Sequence, residues 1–179
     1  MDAKPPCVYE SQAPWCDDGE TSNGYWWFGY WVPEIASEEE WRTPAPRYSS
    51  GRLVWYAPGP MEATAEYRGL SLEGFLDGVA LMSPTDIGKT VWIRRPGNGW
   101  EGPFLVVDCA QRDDIWPIVR YRREVVEVGW ETKERWGLES PIDVEVVVAP
   151  DAYGLWRILE THAVVPYAEW WLDIDGRVK

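Results

Sequence analysis

The chain has 179 residues, of which 45% are hydrophobic, and this is enough to bury one core of ordinary domain size. Its 17 Lys and Arg against 30 Asp and Glu give a formal net charge of −13, and a field of that sign repels nucleic-acid phosphates and anionic membrane surfaces. The sequence has neither an apolar run long enough to span a bilayer nor the basic and apolar regions of a secretory signal. We therefore expect no nucleic-acid binding, no membrane insertion and no signal peptide in this sequence.

Histidine and cysteine are scarce. His162 is the only histidine, so a Ser-His-Asp triad or a multi-histidine metal site is not expected, and we interpret it as a packed or surface residue. Cys7 and Cys16 are close enough to form a disulfide in an oxidising compartment, whereas Cys109 follows an apolar stretch and is expected to be an inert thiol. With no ligand cluster and no glycine-rich phosphate loop, we predict neither a metal nor an organic cofactor.

The two ends of the chain differ in texture from its middle. Residues 1–50 are rich in Pro, Ser, Glu and aromatic residues, and the aromatic cluster at 25–31 predicts an irregular arm that packs on the domain, on a neighbouring subunit or on a ligand. Residues 150–179 form a C-terminal extension to which the pattern assigns no structure. Because the aromatic arm could pack on a neighbouring subunit, we expect any homo-oligomer to form through residues 1–50.

From residue 51 onward, short runs of β-branched and aromatic residues alternate with Gly and Pro, which indicates a compact β domain. The predicted strands cover 53–57, 78–82, 90–94, 103–108, 118–121, 124–128 and 142–149. A helix is predicted over 130–136, because Gly137 is suited to the left-handed conformation that ends helices. Residues 61–67 are compatible with a second short helix.

Four stretches, in order, resemble the double-psi β-barrel of RlpA-type cell-wall proteins, which are related in fold to expansins and barwin. They are residues 51–56, 78–93, 104–108 and 126–148. The resemblance implies an all-β fold: a six-stranded double-psi β-barrel over 51–149 with one short helix, an arm over 1–50 and an extension over 150–179. It also favours an extracellular, cell-envelope or virion location.

Members of this family that cut glycan strands resemble lytic transglycosylases, in which a carboxyl group protonates the glycosidic oxygen. Asp108 matches the family's catalytic aspartate, Glu127 matches a second family acid, and Glu73 lies near the position of another. The family's histidine falls on Met82, whose thioether cannot carry a proton.

Each of these acids also has a structural interpretation. Asp108 could cap backbone amides at the end of its strand, and Glu127 could be favoured by the dipole of the helix that follows it. Glu73 and Asp77 fit ordinary surface acids. Candidate substrate-binding residues are the tryptophans that could stack on sugar rings and the arginine that follows Asp108 in sequence: Trp55, Trp92, Trp100, Trp116 and Arg112.

Two functions therefore remain open. The first is a glycan- or cell-wall-associated protein that binds polysaccharide such as peptidoglycan. It either cleaves the polysaccharide in the manner of a lytic transglycosylase or, because the family's histidine is replaced by Met82, binds it without cutting. The second is a non-catalytic assembly protein of a virion or cell surface, which uses the barrel as a scaffold and its Trp-rich flanks as interfaces.

Overall fold

The computed structural model describes residues 24–27, 30–33, 47–110 and 118–166. The strands are β1 (Gly24–Trp27), β2 (Tyr30–Pro33), β3 (Tyr48–Trp55), β4 (Gly78–Leu81), β5 (Thr90–Arg94), β6 (Trp100–Cys109), β7 (Glu124–Val128), β8 (Ile142–Val148) and β9 (Val165–Pro166). The α-helices are α1 (Pro60–Tyr67), α2 (Trp130–Trp136) and α3 (Ala152–Thr161). Shorter turns are a 3₁₀ turn at Pro84–Asp86 and a π-helical turn at Ile118–Arg122.

Strands β3 to β8 form a closed six-stranded barrel. The strand order is β7-β4-β6-β5-β8-β3, and pairing of β3 with β7 closes the ring. Pairs β3–β7 and β4–β6 are parallel, while the other neighbouring pairs in the barrel are antiparallel. The predicted all-β barrel is confirmed, and this mixed pairing is compatible with a double-psi arrangement.

The barrel interior is filled by alternate residues of the strands, as the period of two in a β-strand requires. On β5, Val91 and Ile93 are buried while their neighbours are partly exposed. They pack against Leu53, Phe104 and Val106 in one cluster. Each such side chain stabilises the fold by about 1.5–3 kcal/mol through burial of apolar surface.

Two helices cover parts of the outer surface. Met61 and Ala65 of α1 pack on Leu105 and Val107 of β6. On another part of the barrel, α3 packs through apolar residues spaced at a helical interval, Leu155 and Ile158, onto Val147 and Ala149. The Asp151 side chain begins α3 by accepting a hydrogen bond from the Gly154 N–H at 2.7 Å.

Several elements differ from the sequence prediction. The strand predicted at 118–121 is wrong, because the chain there forms the π-helical turn, with Ile118 buried and Tyr121 exposed. Residues 24–33, expected to be irregular, contain the antiparallel pair β1–β2. The C-terminal extension contributes α3 and β9, and β9 pairs in parallel with β3. As predicted, α2 ends at Gly137, which adopts φ 63°.

Within the residues that the structure describes, no helix has both the length and the apolar character needed to cross a membrane.

Candidate functional site

An irregularity in β6 decides where Asp108 points. Phe104 and Val106 face the barrel interior, whereas Leu105 and Val107 face α1. Strict alternation would therefore turn Asp108 back into the apolar interior. The register between β4 and β6 shifts at this point, so that Val107 is skipped in the pairing. Such a bulge reverses the facing of the residues after it, and it places Asp108 on the outer surface.

The same register sets Asp108 and Glu127 on either side of one residue. Ala80 of β4 pairs with Asp108 of β6 on one side and with Glu127 of β7 on the other. Because neighbouring strands lie about 4.7–4.9 Å apart, the two acids are separated by roughly 10 Å between Cα atoms. Ala80 packs on the α1 side of the sheet, so this row of three residues belongs to the outer face.

The row lies in a cavity of about 800 Å³. Prominent residues of its wall are Tyr56, Arg68, Met82, Asp108, Cys109 and Glu127. A volume of this size is typical of sites that bind small molecules or segments of polymers. The cavity therefore brings both predicted acids to one accessible surface.

Asp108 accepts a hydrogen bond on each of its carboxyl oxygens. Arg68 Nη2 donates to Oδ1 at 3.0 Å, and the Tyr56 hydroxyl donates to Oδ2 at 3.2 Å. Arg68 is the residue that ends α1, so the helix delivers the guanidinium to the cavity. The two contacts hold the Asp108 carboxyl group in place on the cavity wall.

Tyr56 stays protonated beside the two acids. Burial raises the pKa of the Tyr56 phenol, and the negative charges of Glu127 and Asp108 raise it further. Tyr56 is held at the end of β3 by its backbone N–H, which donates to the Val128 carbonyl at 3.0 Å. The hydroxyl is therefore a fixed hydrogen-bond donor within the cavity.

Glu127 is the acid of the cavity with a raised pKa. Burial, which is the largest cause, and the charges of Glu124 and Asp108 together raise its pKa to about 7. The positive charge of Arg122 acts in the other direction without cancelling the rise. Glu127 therefore exchanges its proton near neutral pH, which is the condition that suits a general acid or base.

The third predicted acid lies apart from this pair. Glu73 is exposed and does not line the cavity, and its backbone N–H donates to the Ser71 hydroxyl at 3.2 Å. Asp77, which we expected at the surface, is instead buried at 6% exposure. Its oxygens accept hydrogen bonds from the backbone N–H and the hydroxyl of Thr132, at 3.2 and 2.5 Å.

Asp77 caps α2, the helix whose dipole was our structural interpretation of Glu127. Thr132 lies in the first turn of α2, where backbone N–H groups have no partner within the helix. Gly129, just before α2, permits the contact, because a Cβ atom there would lie 2.5 Å from both Asp77 carboxyl oxygens. The acid before the helix in sequence, Glu127, faces the cavity instead.

The predicted tryptophans divide between two regions. Trp55 is half-buried and lines the cavity. Trp92 and Trp100 pack against the α3 cluster, away from the cavity wall, and Trp100 contacts the Tyr48 ring edge-to-face at 5.9 Å. Trp116 and Arg112 lie outside the described residues, as do Cys7 and Cys16. Arg68 provides a positive charge beside Asp108.

Two sulfur-containing residues, Met82 and Cys109, line the cavity wall. Met82 is buried at 4% exposure and lines the cavity at the position where the resemblance implies histidine. Burial, followed by the charge of Asp108, raises the pKa of the Cys109 thiol, which favours the unreactive protonated form. His162 is exposed at the end of α3 and hydrogen-bonds with the Thr161 hydroxyl.

Tyr56 and Arg68 were missed by sequence reasoning. Tyr56 falls within the first stretch of the family resemblance, but nothing in that stretch identifies its partner. Arg68 lies 40 residues from Asp108 in a segment with no matching motif, so their contact depends on how α1 packs on β6. An arginine at the end of a helix is an ordinary surface feature, and the sequence provides no signal that distinguishes this one.

Comparison with known proteins assigns no family. No protein-family model matches the chain, and a search of curated proteins found no match. Within the described part of the chain, no group of three or more His, Cys, Asp or Glu residues is arranged to hold a metal ion. The function of the cavity is therefore inferred from its own residues.

Proposed function

We propose that the chain is an RlpA-like, double-psi barrel protein that binds a polysaccharide such as peptidoglycan in the cavity and cleaves its glycosidic bonds. One observation carries this proposal: Asp108 and Glu127 flank Ala80 on one cavity wall, where Asp108 pairs with Arg68 and the pKa of Glu127 is raised to about 7. Glycosidic cleavage needs a carboxyl group that holds a proton near neutral pH and benefits from a second, ionised carboxylate nearby.

The shape and lining of the cavity support a sugar substrate. A volume of about 800 Å³ can accommodate sugar units. Trp55 and Tyr56 bring aromatic surface to the wall, and aromatic faces stack on the apolar faces of pyranose rings. The carboxylates and Arg68 offer acceptors and donors for sugar hydroxyl groups.

Met82 decides which groups are available for proton transfer. The resemblance implies an imidazole at this position, and the thioether there cannot carry a proton. Cleavage by this chain would therefore depend on its carboxyl groups.

A release assay with purified peptidoglycan tests the proposal. We expect the wild-type chain to liberate soluble muropeptides, and Asp108→Asn and Glu127→Gln each to reduce the rate by at least about 100-fold, the usual contribution of a general acid or base. Glu73→Gln is the matched control, because Glu73 is exposed and outside the cavity wall, and it should retain the wild-type rate. Equal rates from all four proteins would contradict the proposal.

A second candidate is a non-catalytic assembly protein. On α3, Tyr153 and Trp156 are 73% and 60% exposed, and large exposed aromatic side chains are typical of protein interfaces. Sedimentation of the wild-type chain and a Tyr153→Ser, Trp156→Ser variant tests this candidate. A larger wild-type species that the variant loses would support it, and a strictly monomeric wild-type chain would count against it.

A further inference from the structure

We infer that the outer face of α3 is a docking surface for the antiparallel pair β1–β2 of the same chain. The outer face consists of exposed residues spaced at helical intervals, Tyr153, Trp156, Arg157 and Glu160. None of them lines the cavity, so this surface lies apart from the proposed glycan site. Docking would make the N-terminal arm a part of the barrel domain.

α3 carries large apolar side chains on two opposite sides. Leu155 and Ile158 are buried against the barrel. Tyr153 and Trp156 are 73% and 60% exposed, and their spacing of three residues places them together on the outer face. A helix at the surface of a domain normally has a polar outer side, and one that is apolar on both sides is normally covered. The exposed aromatic pair therefore indicates a surface that another segment covers.

The first residues of β3 attach the arm beside α3. Tyr48 pairs with Val147, shortly before α3, and Ser49 pairs with Val165, shortly after it. Tyr48 also packs in the same cluster as the buried residues of α3. The arm joins the barrel at Tyr48, so the segment that needs a surface and the surface that needs a cover meet at one place.

The length of the connecting segment favours docking within one chain. Residues 34–47 separate β2 from β3. A segment of this length can span up to about 50 Å, whereas α3 is about 15 Å long. Such a tether gives a local concentration in the millimolar range, far above that of a second chain in dilute solution. The net charge of −13 also disfavours the approach of a second copy.

The β1–β2 pair has the composition of a segment that needs a partner surface. It forms a two-stranded sheet of its own, separate from the sheet of the barrel. A two-stranded sheet is at most marginally stable in water when it stands alone. Its strands are rich in aromatic residues: Tyr25, Trp26, Trp27, Tyr30 and Trp31. Aromatic side chains of this kind pack favourably on Tyr153 and Trp156.

Charge complements the aromatic contact. Arg157 is exposed, and its guanidinium forms no ion pair with any residue that the structure describes. The acidic run Glu38, Glu39 and Glu40 follows β2 after only residues 34–37. Docking of β2 on α3 therefore brings the acidic run within reach of Arg157. Because an exposed ion pair contributes little, the aromatic residues would supply most of the docking energy.

Hydrogen exchange in the full-length chain tests the docking. We expect the amides of β1 and β2 to exchange at least about tenfold faster in a Tyr153→Ser, Trp156→Ser variant than in the wild type, because the pair then loses its support. The replaced residues are exposed, so β5 and β6 should keep their wild-type exchange. Exchange of β1 and β2 that is equal in the variant and the wild type would overturn the inference.

Tyr67→Ser is the matched control. Tyr67 is 89% exposed on α1, and its replacement removes an exposed tyrosine from a different helix. The exchange of β1 and β2 should stay at the wild-type rate in this variant. An increase as large as that of the α3 variant would show that β1–β2 does not depend on α3 in particular, and it would overturn the assignment of the surface.

A charge reversal on α3 provides a second test with a smaller expected effect. Arg157→Glu should raise the exchange rate of β1 and β2 by about two- to fivefold, because repulsion from the acidic run replaces attraction. Arg157→Lys should keep the wild-type rate, since the positive charge remains. Equal rates for these two variants would overturn the contact between Arg157 and the acidic run.

Sedimentation of the wild-type chain at about 10 μM identifies the occupant of the surface. We expect a monomer whose β1 and β2 amides are protected to the same extent at lower concentrations. A dimer, with protection that rises as the protein concentration rises, would assign the surface to the arm of a second copy and overturn docking within one chain. None of these measurements uses a glycan, so a chain that cleaves no polysaccharide leaves their outcome unchanged.

Discussion

Two acids next to β4, Asp77 and Glu127, have different surroundings. Asp77, directly before β4, is 6% exposed and accepts hydrogen bonds from the Gly78 and Thr132 backbone N–H groups and from the Thr132 hydroxyl. Glu127, beside Ala80, is half-buried next to other negative charges, and its pKa is raised to about 7. An acid whose oxygens accept hydrogen bonds from buried donors stabilises the fold, as Asp77 does. An acid placed next to other negative charges has a raised pKa and retains a proton, as Glu127 does.

The largest effect on stability is expected at Asp77. Asp77→Ala leaves buried donors of Gly78 and Thr132 without a partner, and it should lower the free energy of unfolding by about 3 kcal/mol. Urea denaturation followed by circular dichroism measures the change. Glu73→Ala, four residues away and exposed, is the control and should stay within about 0.5 kcal/mol of wild type. Similar free energies of unfolding for the two variants would show that Asp77 stabilises the fold no more than an exposed acid does.

Above neutral pH, Glu127→Gln should raise the free energy of unfolding, whereas Asp77→Ala lowers it. Burial and nearby charges raise the Glu127 pKa from 4.5 to about 7, so between these values the folded chain holds a proton that the unfolded chain releases. Wild-type stability therefore falls as pH rises through this window, by up to about 3 kcal/mol. Because Gln has no such cost, the variant should be the more stable protein at about pH 8, with the advantage shrinking toward pH 4.5.

Thermal or urea unfolding of both proteins across this pH range is the measurement. A stability difference that does not change with pH would show that Glu127 has an ordinary protonation equilibrium, and the contrast with Asp77 would then be lost.

The smallest effect is expected at Tyr56. Tyr56→Phe removes the hydrogen bond to Asp108 Oδ2 but keeps the packed ring and the second donor from Arg68. The free energy of unfolding should therefore fall by only about 1 kcal/mol. Measured with the same urea assay, a loss as large as that of Asp77→Ala would mean that Tyr56 is mainly structural.

Much of the fold could be predicted from local pattern. Runs of β-branched residues marked the barrel strands, and Gly137 marked the end of α2. The prediction failed at 118–121, because a short apolar run beside Ile118 has the same composition whether it forms a strand or one buried helical turn. It assigned no structure to α3, although the residues that α3 buries, Leu155 and Ile158, have helical spacing.

The candidate site was predicted in part. Asp108 and Glu127 were identified as candidate acids, and the structure places both on the cavity wall, while their catalytic roles stay predictions. Trp55 lies there too, but Glu73, Trp92 and Trp100 do not. Residue type and family position indicated which side chains have suitable chemistry, and neither carries information about the face on which a side chain emerges.

The sequence by itself determined the β class, the approximate positions of the barrel strands along the chain and the presence of acids at the ends of two of them. Only the tertiary structure decided that a bulge at Val107 turns Asp108 outward, that Arg68 reaches it across 40 residues, and that Asp77 caps a helix 55 residues away. The physical reason is that periodicity and turn chemistry act over a few residues. Register, hydrogen-bond partners and burial depend on segments that meet only when the barrel closes.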